Sequence, residues 1–330
     1  MGFSSQGGGN MENSVRFIRN VVLKNPIMVC TWPGMGNVAY GAGVYLKETV
    51  KAQKFAEIPG EDFFYKAGVQ IKNGLVEVPQ LPKSEFFYYH DISSNRDLII
   101  FIGESQPVIE KEYELARRVV EVGKRLGVVE IITFAATPAN ITHRVFPSVY
   151  GVSTSPEIVN RLGDFGVKVM KAGHIGGLNG LVLGVASEFG IPGTCFLGEI
   201  PFYTVKIENP KASLALLKIF MRYTGIFVDI TGLAQMAQFV EEEIDRISTV
   251  AQKEISEERE KQDVEYEEQT EMESGPKKLP AEVRQRIEYM FELAANDISK
   301  AGELKKELDR WGVFNEYEDR FLDLFGKKNM

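Results

Sequence analysis

Histidine, cysteine and tryptophan are scarce in this chain of 330 residues, at three, two and two. His90, His143 and His174 lie far apart in sequence, so no pair has metal-site spacing and neither metal nor cofactor is expected. Cys30 and Cys195 each sit in an apolar run and read as reduced core thiols rather than a disulfide framework, which makes the cytoplasm the expected compartment. No stretch approaches the roughly 18 uninterrupted apolar residues of a membrane span. Met1–Asn10 holds neither the basic nor the hydrophobic part of an export signal, and Gln6 stands where a myristoylation pattern wants Ser or Thr. Residues 1–24 are expected to form a flexible leader and entry segment. Phosphate loops and G-x-S-x-G elbows are missing, and Glu104, Glu110 and Glu199 occur singly, so no catalytic residue is assigned. Basic residues do not cluster as a phosphate backbone requires, so nucleic acid is not an expected partner.

What remains is ample for a folded body. Apolar residues make up 44% and charged residues 25%, enough for a buried core. The net charge of −8 is uneven: Glu241–Glu273 holds fourteen acidic and four basic residues, leaving the rest near +2. That stretch reads as a solvated charged helix.

The apolar run Ile27–Trp32 ends at Pro33-Gly-Met-Gly36, which predicts a buried strand and a turn. Helical spacing follows from Asn37, placed to cap the helix, to Val50, and a second strand covers Phe55–Ile58. The opening therefore reads as a βαβ unit. Asn73-Gly74 between alternating runs predicts a hairpin over Val69–Val78, which would make the sheet mixed. Strands at Phe86–Tyr89, Leu98–Ile102 and Val128–Phe134 alternate with a helix between Val108 and Leu126. Helical and strand patterns then continue to alternate through Tyr223. The fold class expected is α/β, a mixed, mostly parallel sheet with helices on both faces, plus an all-helical C-terminal extension. The boundaries expected are 25–235 for the core, 236–273 for the acidic helix, 274–280 for a linker and 281–330 for the helical extension.

Two glycine loops draw attention. Gly34-Met-Gly36-Asn-Val-Ala39 matches the G-x-G-x-x-A form of a dinucleotide turn, with Glu57 near the offset for a ribose hydroxyl; a plain strand-to-helix turn explains the same glycines. Gly173–Gly180 also feeds a helix start, with His174 either a structural loop residue or a site residue. If both loops reach one end of the sheet, a candidate pocket takes in Trp32, Gly34, Gly36, Asn37, Gln106, His174, Gly176, Gly177 and Asn179.

The blocks Thr31–Ala39 with Tyr45-Leu46, Leu98–Pro107, Thr133–Thr137, Gly173–Gly180 and Leu197–Tyr203 leading to Pro210–Ser213 resemble, in order, the proteasome assembly chaperone family. They span about two-thirds of the chain, and prokaryotic members are often labelled ATP-grasp-like. The resemblance implies a fold similar to purine nucleoside phosphorylases and a non-enzymatic assembly or scaffolding role. It also implies a homo-oligomer whose partners are itself and proteasome subunits or another protein assembly. Some relatives dock through a C-terminal hydrophobic-Tyr-any motif; Gly326–Met330 lacks it, so docking by the tail is not implied. No ATP-grasp phosphate lysine or metal-binding carboxylate pair is identified. The alternative is a nucleotide- or small-molecule-binding enzyme using the turns at 34–37 and 173–180.

Overall fold

Every residue of Ile27–Thr31 is buried, and its side chains alternate between two cores. Ile27 and Val29 face one layer of helices while Met28 and Cys30 face the other, as a strand covered on both sides requires. This computed structural model describes residues 15–66, 68–250 and 279–326. They fall into two compact units, divided after Thr249.

The first unit is built on a nine-stranded sheet. Its strands in chain order are β1 (Arg16–Phe17), β2 (Ile27–Thr31), β3 (Gln53–Glu57), β6 (Ser84–Tyr89), β7 (Leu98–Gly103), β8 (Glu130–Ala139), β9 (Val149–Ser153), β10 (Lys168–Val169) and β11 (Gly193–Pro201). Between β3 and β6 stand β4 (Gln70–Lys72) and β5 (Leu75–Glu77), a separate two-stranded hairpin. The sheet order is β1-β3-β6-β7-β2-β8-β11-β9-β10. Its centre, β7-β2-β8-β11, is parallel throughout. The margins bring antiparallel pairs, β1–β3–β6–β7 on one side and β11–β9 on the other.

Helices α1 (Val38–Thr49) and α5 (Pro210–Thr224) cover one face, joined by Leu233 and Ala237 from α6 (231–250). Helices α2 (Glu112–Arg125) and α4 (Leu178–Glu188) cover the other. A short α3 (Pro156–Arg161) follows β9. In α2 the buried residues Leu115, Ala116, Val119, Val120, Val122 and Gly123 recur at helical spacing, so one stripe packs and the charged remainder stays wet.

Several expectations need correction. The hairpin does not join the main sheet; its mixed character comes from β1, β3, β6 and β9. The strand at β3 runs in the direction of β2, but two other strands separate them, so the opening is not a βαβ unit of neighbours. Asn37 does not cap α1: it takes a left-handed φ of 48° with no capping hydrogen bond, because a single 3-10 turn intervenes. Of the expected leader, residues 1–14 lie outside the described residues, whereas Arg16–Phe17 pairs with β3 as an edge strand. Helix α6 begins at 231, inside the expected core, and the first unit extends to Thr249. The expected acidic helix beyond 250 and linker residues 274–278 lie outside the described residues.

The second unit consists, among the described residues, of α7 (Ala281–Asn296), α8 (Ala301–Arg310) and α9 (Phe314–Gly326) around Ile287, Phe291, Leu304, Leu308 and Phe321. Most of its rings serve that core: Phe291 stacks on Tyr317 at 5.8 Å and Phe314 meets Phe321 edge-on at 5.5 Å.

Candidate functional site

The parallel strands β2, β7, β8 and β11 all release their chains at one end of the sheet, where α/β proteins gather their loops. Both glycine loops arrive there. The first turns tightly at Gly36, whose φ is 58° and whose absent side chain leaves room for Ile207 O, 3.3 Å from where a Cβ would stand. Its N–H donates to Val205 O at 2.8 Å, and Asn209 N–H donates to Gly36 O at 2.9 Å. The turn is thus stapled to the segment that follows β11.

Two side-chain amides join the first loop to the second. Gln106 donates through Nε2 to Pro33 O at 2.9 Å and accepts from Leu178 N–H through Oε1 at 3.1 Å. Asn179 accepts from Trp32 N–H at 3.0 Å and donates to Trp32 O at 3.1 Å, imitating a strand neighbour for a residue that has run past its own strand's end. Each amide is engaged through both its oxygen and its nitrogen with main chain, and Asn179 is buried.

A pocket of about 80 Å³ remains between the loops. Ala39, Ala135, Ala136 and Leu197 supply apolar walls, while Gly34, Met35, His174, Ile175, Gly176 and Asn179 complete it. His174 is exposed. Four of the nine expected residues therefore share this pocket: Gly34, His174, Gly176 and Asn179. Gln106 and Gly177 stand beside it, the glycine 3.2 Å from the amide at its would-be Cβ. The remaining three lie elsewhere. Trp32 is fully buried with its ring 4.9 Å from Phe101, a core residue and not a lining one. Gly36 and Asn37 line a second groove of about 270 Å³ with Tyr40, Tyr45, Leu233 and Met236. Asn37 Nδ2 there reaches Glu208 at 3.5 Å.

The residue expected to read a ribose is also displaced. Glu57 ends β3, three places along the sheet from β2, and pairs with Lys54 at 2.6 Å and Arg16 at 3.7 Å. Those cations hold its carboxyl below the usual range, the Lys54 hydrogen bond being the largest cause.

Sequence reasoning missed a polar cluster at this end of the sheet. The Tyr203 hydroxyl accepts from His143 N–H at 2.8 Å and lies 2.8 Å from Nδ1 of the same residue. Nε2 of His143 meets Asp245 of α6 at 2.7 Å, and Arg144 adds a second contact to that carboxylate at 2.8 Å. The His143 hydrogen bond, then the Arg144 charge, draw the Asp245 carboxyl below its ordinary range. Lys211 ties the same region together, donating to His143 O and pairing with Glu241. One histidine of only three, in a loop between strands, was the available signal.

Around these polar ties the loops expose large apolar side chains: Met35, Val145, Phe146, Phe202, Tyr203 and Ile207, each more than four-tenths exposed. At the other end of the strands a carboxylate is buried. Glu130, which opens β8, accepts from Thr194 and Tyr223 hydroxyls at 2.7 Å each. Burial raises its pKa, outweighing those bonds, and raises Tyr223 with it. Burial also pushes the Cys195 thiol to about 12 and Cys30 higher still, so neither is a ready nucleophile. Among the described residues no group of three or more His, Cys, Asp or Glu side chains is placed to hold a metal ion. No described helix is long and apolar enough to cross a membrane.

Comparison with known proteins agrees with this geometry. A family model described as the PAC2 family matches residues 28–248. An uncharacterised protein of Methanocaldococcus jannaschii is 28% identical over 228 residues, 68% of this chain and 84% of that protein. Pyrococcus furiosus PbaB, an archaeal proteasome activator, superposes with a TM-score of 0.62 at 27% identity, covering 71% of this chain and 98% of PbaB. P. furiosus PbaA, an archaeal homolog of proteasome-assembly chaperone, has the same fold, with a TM-score of 0.57 at 23% identity over 78% of this chain and 99% of PbaA.

Proposed function

Because the chain belongs to the PAC2 family, we propose that it is a non-enzymatic assembly factor, acting in the cytoplasm as a homo-oligomer on a proteasome or a related protein assembly. One observation carries this reading. Where the two glycine loops converge, the side chains best suited to hold a ligand, Gln106 and Asn179, are spent on Pro33, Leu178 and Trp32 main chain. What the loops leave outside is an apolar rim, the kind of surface that marks a protein partner. PbaB, named an archaeal proteasome activator, supports the class of partner.

The nucleotide reading has less support. A cavity of about 80 Å³ is well short of the roughly 300–1,000 Å³ that drug-sized ligands occupy. Glu57, needed for a ribose, lies at the far side of the sheet.

The test is binding of the purified full-length chain to purified proteasome core particle and to its separate subunits, followed by native electrophoresis and scattering. A complex, or faster assembly of subunits into particles, is the expected result. No association with any of these at about 100 μM would overturn the proposal.

A further inference from the structure

His143 is held through both its ring and its main chain, and the pattern of donors fixes which nitrogen carries the proton. Nε2 lies 2.7 Å from Asp245, whose carboxyl is drawn below its ordinary range and is ionised at neutral pH. A carboxylate only accepts, so Nε2 bears the hydrogen, and Nδ1 of the neutral ring is left as an acceptor. The group 2.8 Å from Nδ1 is the Tyr203 hydroxyl. That oxygen already accepts the His143 main-chain N–H at 2.8 Å, so its own proton is the one that donates to Nδ1. Arg144 occupies the other oxygen of Asp245 at 2.8 Å, and Lys211 donates to the His143 carbonyl, which leaves the ring few ways to turn. The result is a carboxylate orienting an imidazole and an imidazole aimed at a hydroxyl, the arrangement that activates a nucleophile. The His143 side chain is only 14% exposed, whereas Tyr203, on the turn Phe202–Thr204 after β11, is 54% exposed. A reagent can therefore reach the phenol while the base behind it stays screened.

We propose that Tyr203 is a covalent acceptor site, a phenol activated by His143 and Asp245 to take an acyl group from an activated ester or thioester. The phenolic oxygen attacks the carbonyl carbon while its proton passes to Nδ1 of His143. Asp245 stabilises the imidazolium formed in that step, and the His143 main-chain N–H stays on the phenolic oxygen throughout. The tetrahedral adduct then collapses: the bond from its carbon to the leaving oxygen or sulfur breaks, and the leaving group departs with the electron pair. The products are an ester on Tyr203 and an alcohol or thiol, which takes up the proton that His143 gives back. A single modification asks for no turnover, so the site stands beside the assembly role and does not compete with it.

The test treats the full-length chain with p-nitrophenyl acetate near neutral pH and follows acetylation of each tyrosine by peptide mass spectrometry. Tyr65 and Tyr289, 78% and 60% exposed and without a hydrogen-bond partner among the described residues, serve as unactivated phenols in the same tube. A positioned base contributes about 10²–10⁴-fold in catalysis, and Tyr203 should be acetylated at least about tenfold faster than either. This comparison lies within the wild-type chain and depends on no variant folding. His143→Gln should bring Tyr203 down to the rate of Tyr65. Asp245→Asn keeps an acceptor for Nε2 without the charge and should slow Tyr203 on the order of tenfold. Glu241→Gln weakens the other tie of α6, to Lys211, and should leave the Tyr203 rate unaltered. A merely structural cluster would move all three variants together, whereas loss of the base moves only the first two. Acetylation of Tyr203 no faster than of Tyr65 and Tyr289 overturns the proposal, as does a rate that His143→Gln leaves unaltered. Acetyl found on His143 with Tyr203 bare would make the imidazole the nucleophile and overturn it as well.

Discussion

Asn179 pairs its side-chain amide with the backbone of Trp32 twice, accepting from the N–H at 3.0 Å and donating to the carbonyl at 3.1 Å. The two residues are 147 positions apart, and the contact closes the end of β2 against the start of α4. Removing that amide leaves two buried main-chain groups without partners, each costing about 1–3 kcal/mol. Asn179→Ala should therefore destabilise the first unit by about 2–5 kcal/mol, read as a lower urea midpoint with an unchanged slope. Stability within about 0.5 kcal/mol of wild type would instead free Asn179 to be a ligand-binding residue.

Gly103 ends β7 directly beneath the Trp32 indole: a Cβ there would stand 2.2 Å from Nε1 and 2.3 Å from Cδ1. The ring is fully buried against Phe101 and cannot swing aside. Gly103→Ala should cost about 1–3 kcal/mol or more through overpacking. Adding Trp32→Phe, which shortens the ring, should return part of that loss, so the two changes combine to less than their sum. Strictly additive melting shifts would show that the contact is slack.

The buried Glu130 carboxyl gives a pH dependence with a defined sign. Burial raises its folded pKa above the ordinary value of about 4.3, so ionisation costs the folded chain more than the unfolded one. Its contribution to stability therefore falls as pH rises from that ordinary value through the raised one, and is level above it. Glu130→Gln keeps acceptors for Thr194 and Tyr223 without the charge. The variant should gain on wild type with rising pH across this window and lose the advantage at acid pH. A difference independent of pH between 4 and 8 would refute the assignment.

Much of this architecture was legible in the residues, and the failures share a cause. The run Ile27–Trp32, the turn after it, the helices of both units and the Asn73-Gly74 hairpin follow from apolar periodicity and turn chemistry, which are local. Strand β9 escaped because Val149–Ser153 is short, holds Gly151 and is only partly buried. Glu57 was misplaced because a fingerprint offset assumes that successive strands are neighbours, whereas β6 and β7 insert between β3 and β2. Spacing places Trp32 at a strand end and so in a pocket, but it does not report that Phe101 and the bare Gly103 make a slot for its ring. Gly34, His174, Gly176 and Asn179 were brought together because both glycine loops sit at strand-to-helix junctions.

Among the polar contacts that fasten helix α6, the one at Asp245 has a strength that depends on charge. Asp245 meets His143 and Arg144, and its carboxyl is held below the ordinary range chiefly by the His143 hydrogen bond. A depressed carboxyl stabilises above its unfolded pKa and loses that effect as pH falls through the folded one. Asp245→Asn should therefore lower amide protection over 240–250 several-fold at neutral pH, and acidification below about 4 should bring the same loss of protection, relative to the intrinsic exchange rate, to wild type. Equal exchange in both chains at neutral pH would show that the Lys211–Glu241 pair and the packing of Leu233 and Ala237 fasten the helix without Asp245.

The small-molecule reading makes its own demand on the loops. A ligand held between Gly34 and His174 at a hundred times its dissociation constant would stabilise the fold by about 2.7 kcal/mol. In a unit of this size that raises the melting temperature by about 5–10 °C. Because Gln106 and Asn179 are engaged with main chain and the walls are Ala39, Ala135, Ala136 and Leu197, nucleotides, nucleosides and phosphate should each shift it by less than about 1 °C. A His174→Ala chain run in parallel separates a true site from a general salt effect, since His174 is exposed and its loss should leave the fold intact. A rise of several degrees with one ligand in wild type, abolished by His174→Ala, would place the loops among ligand sites and withdraw the argument that their polar groups serve only the fold.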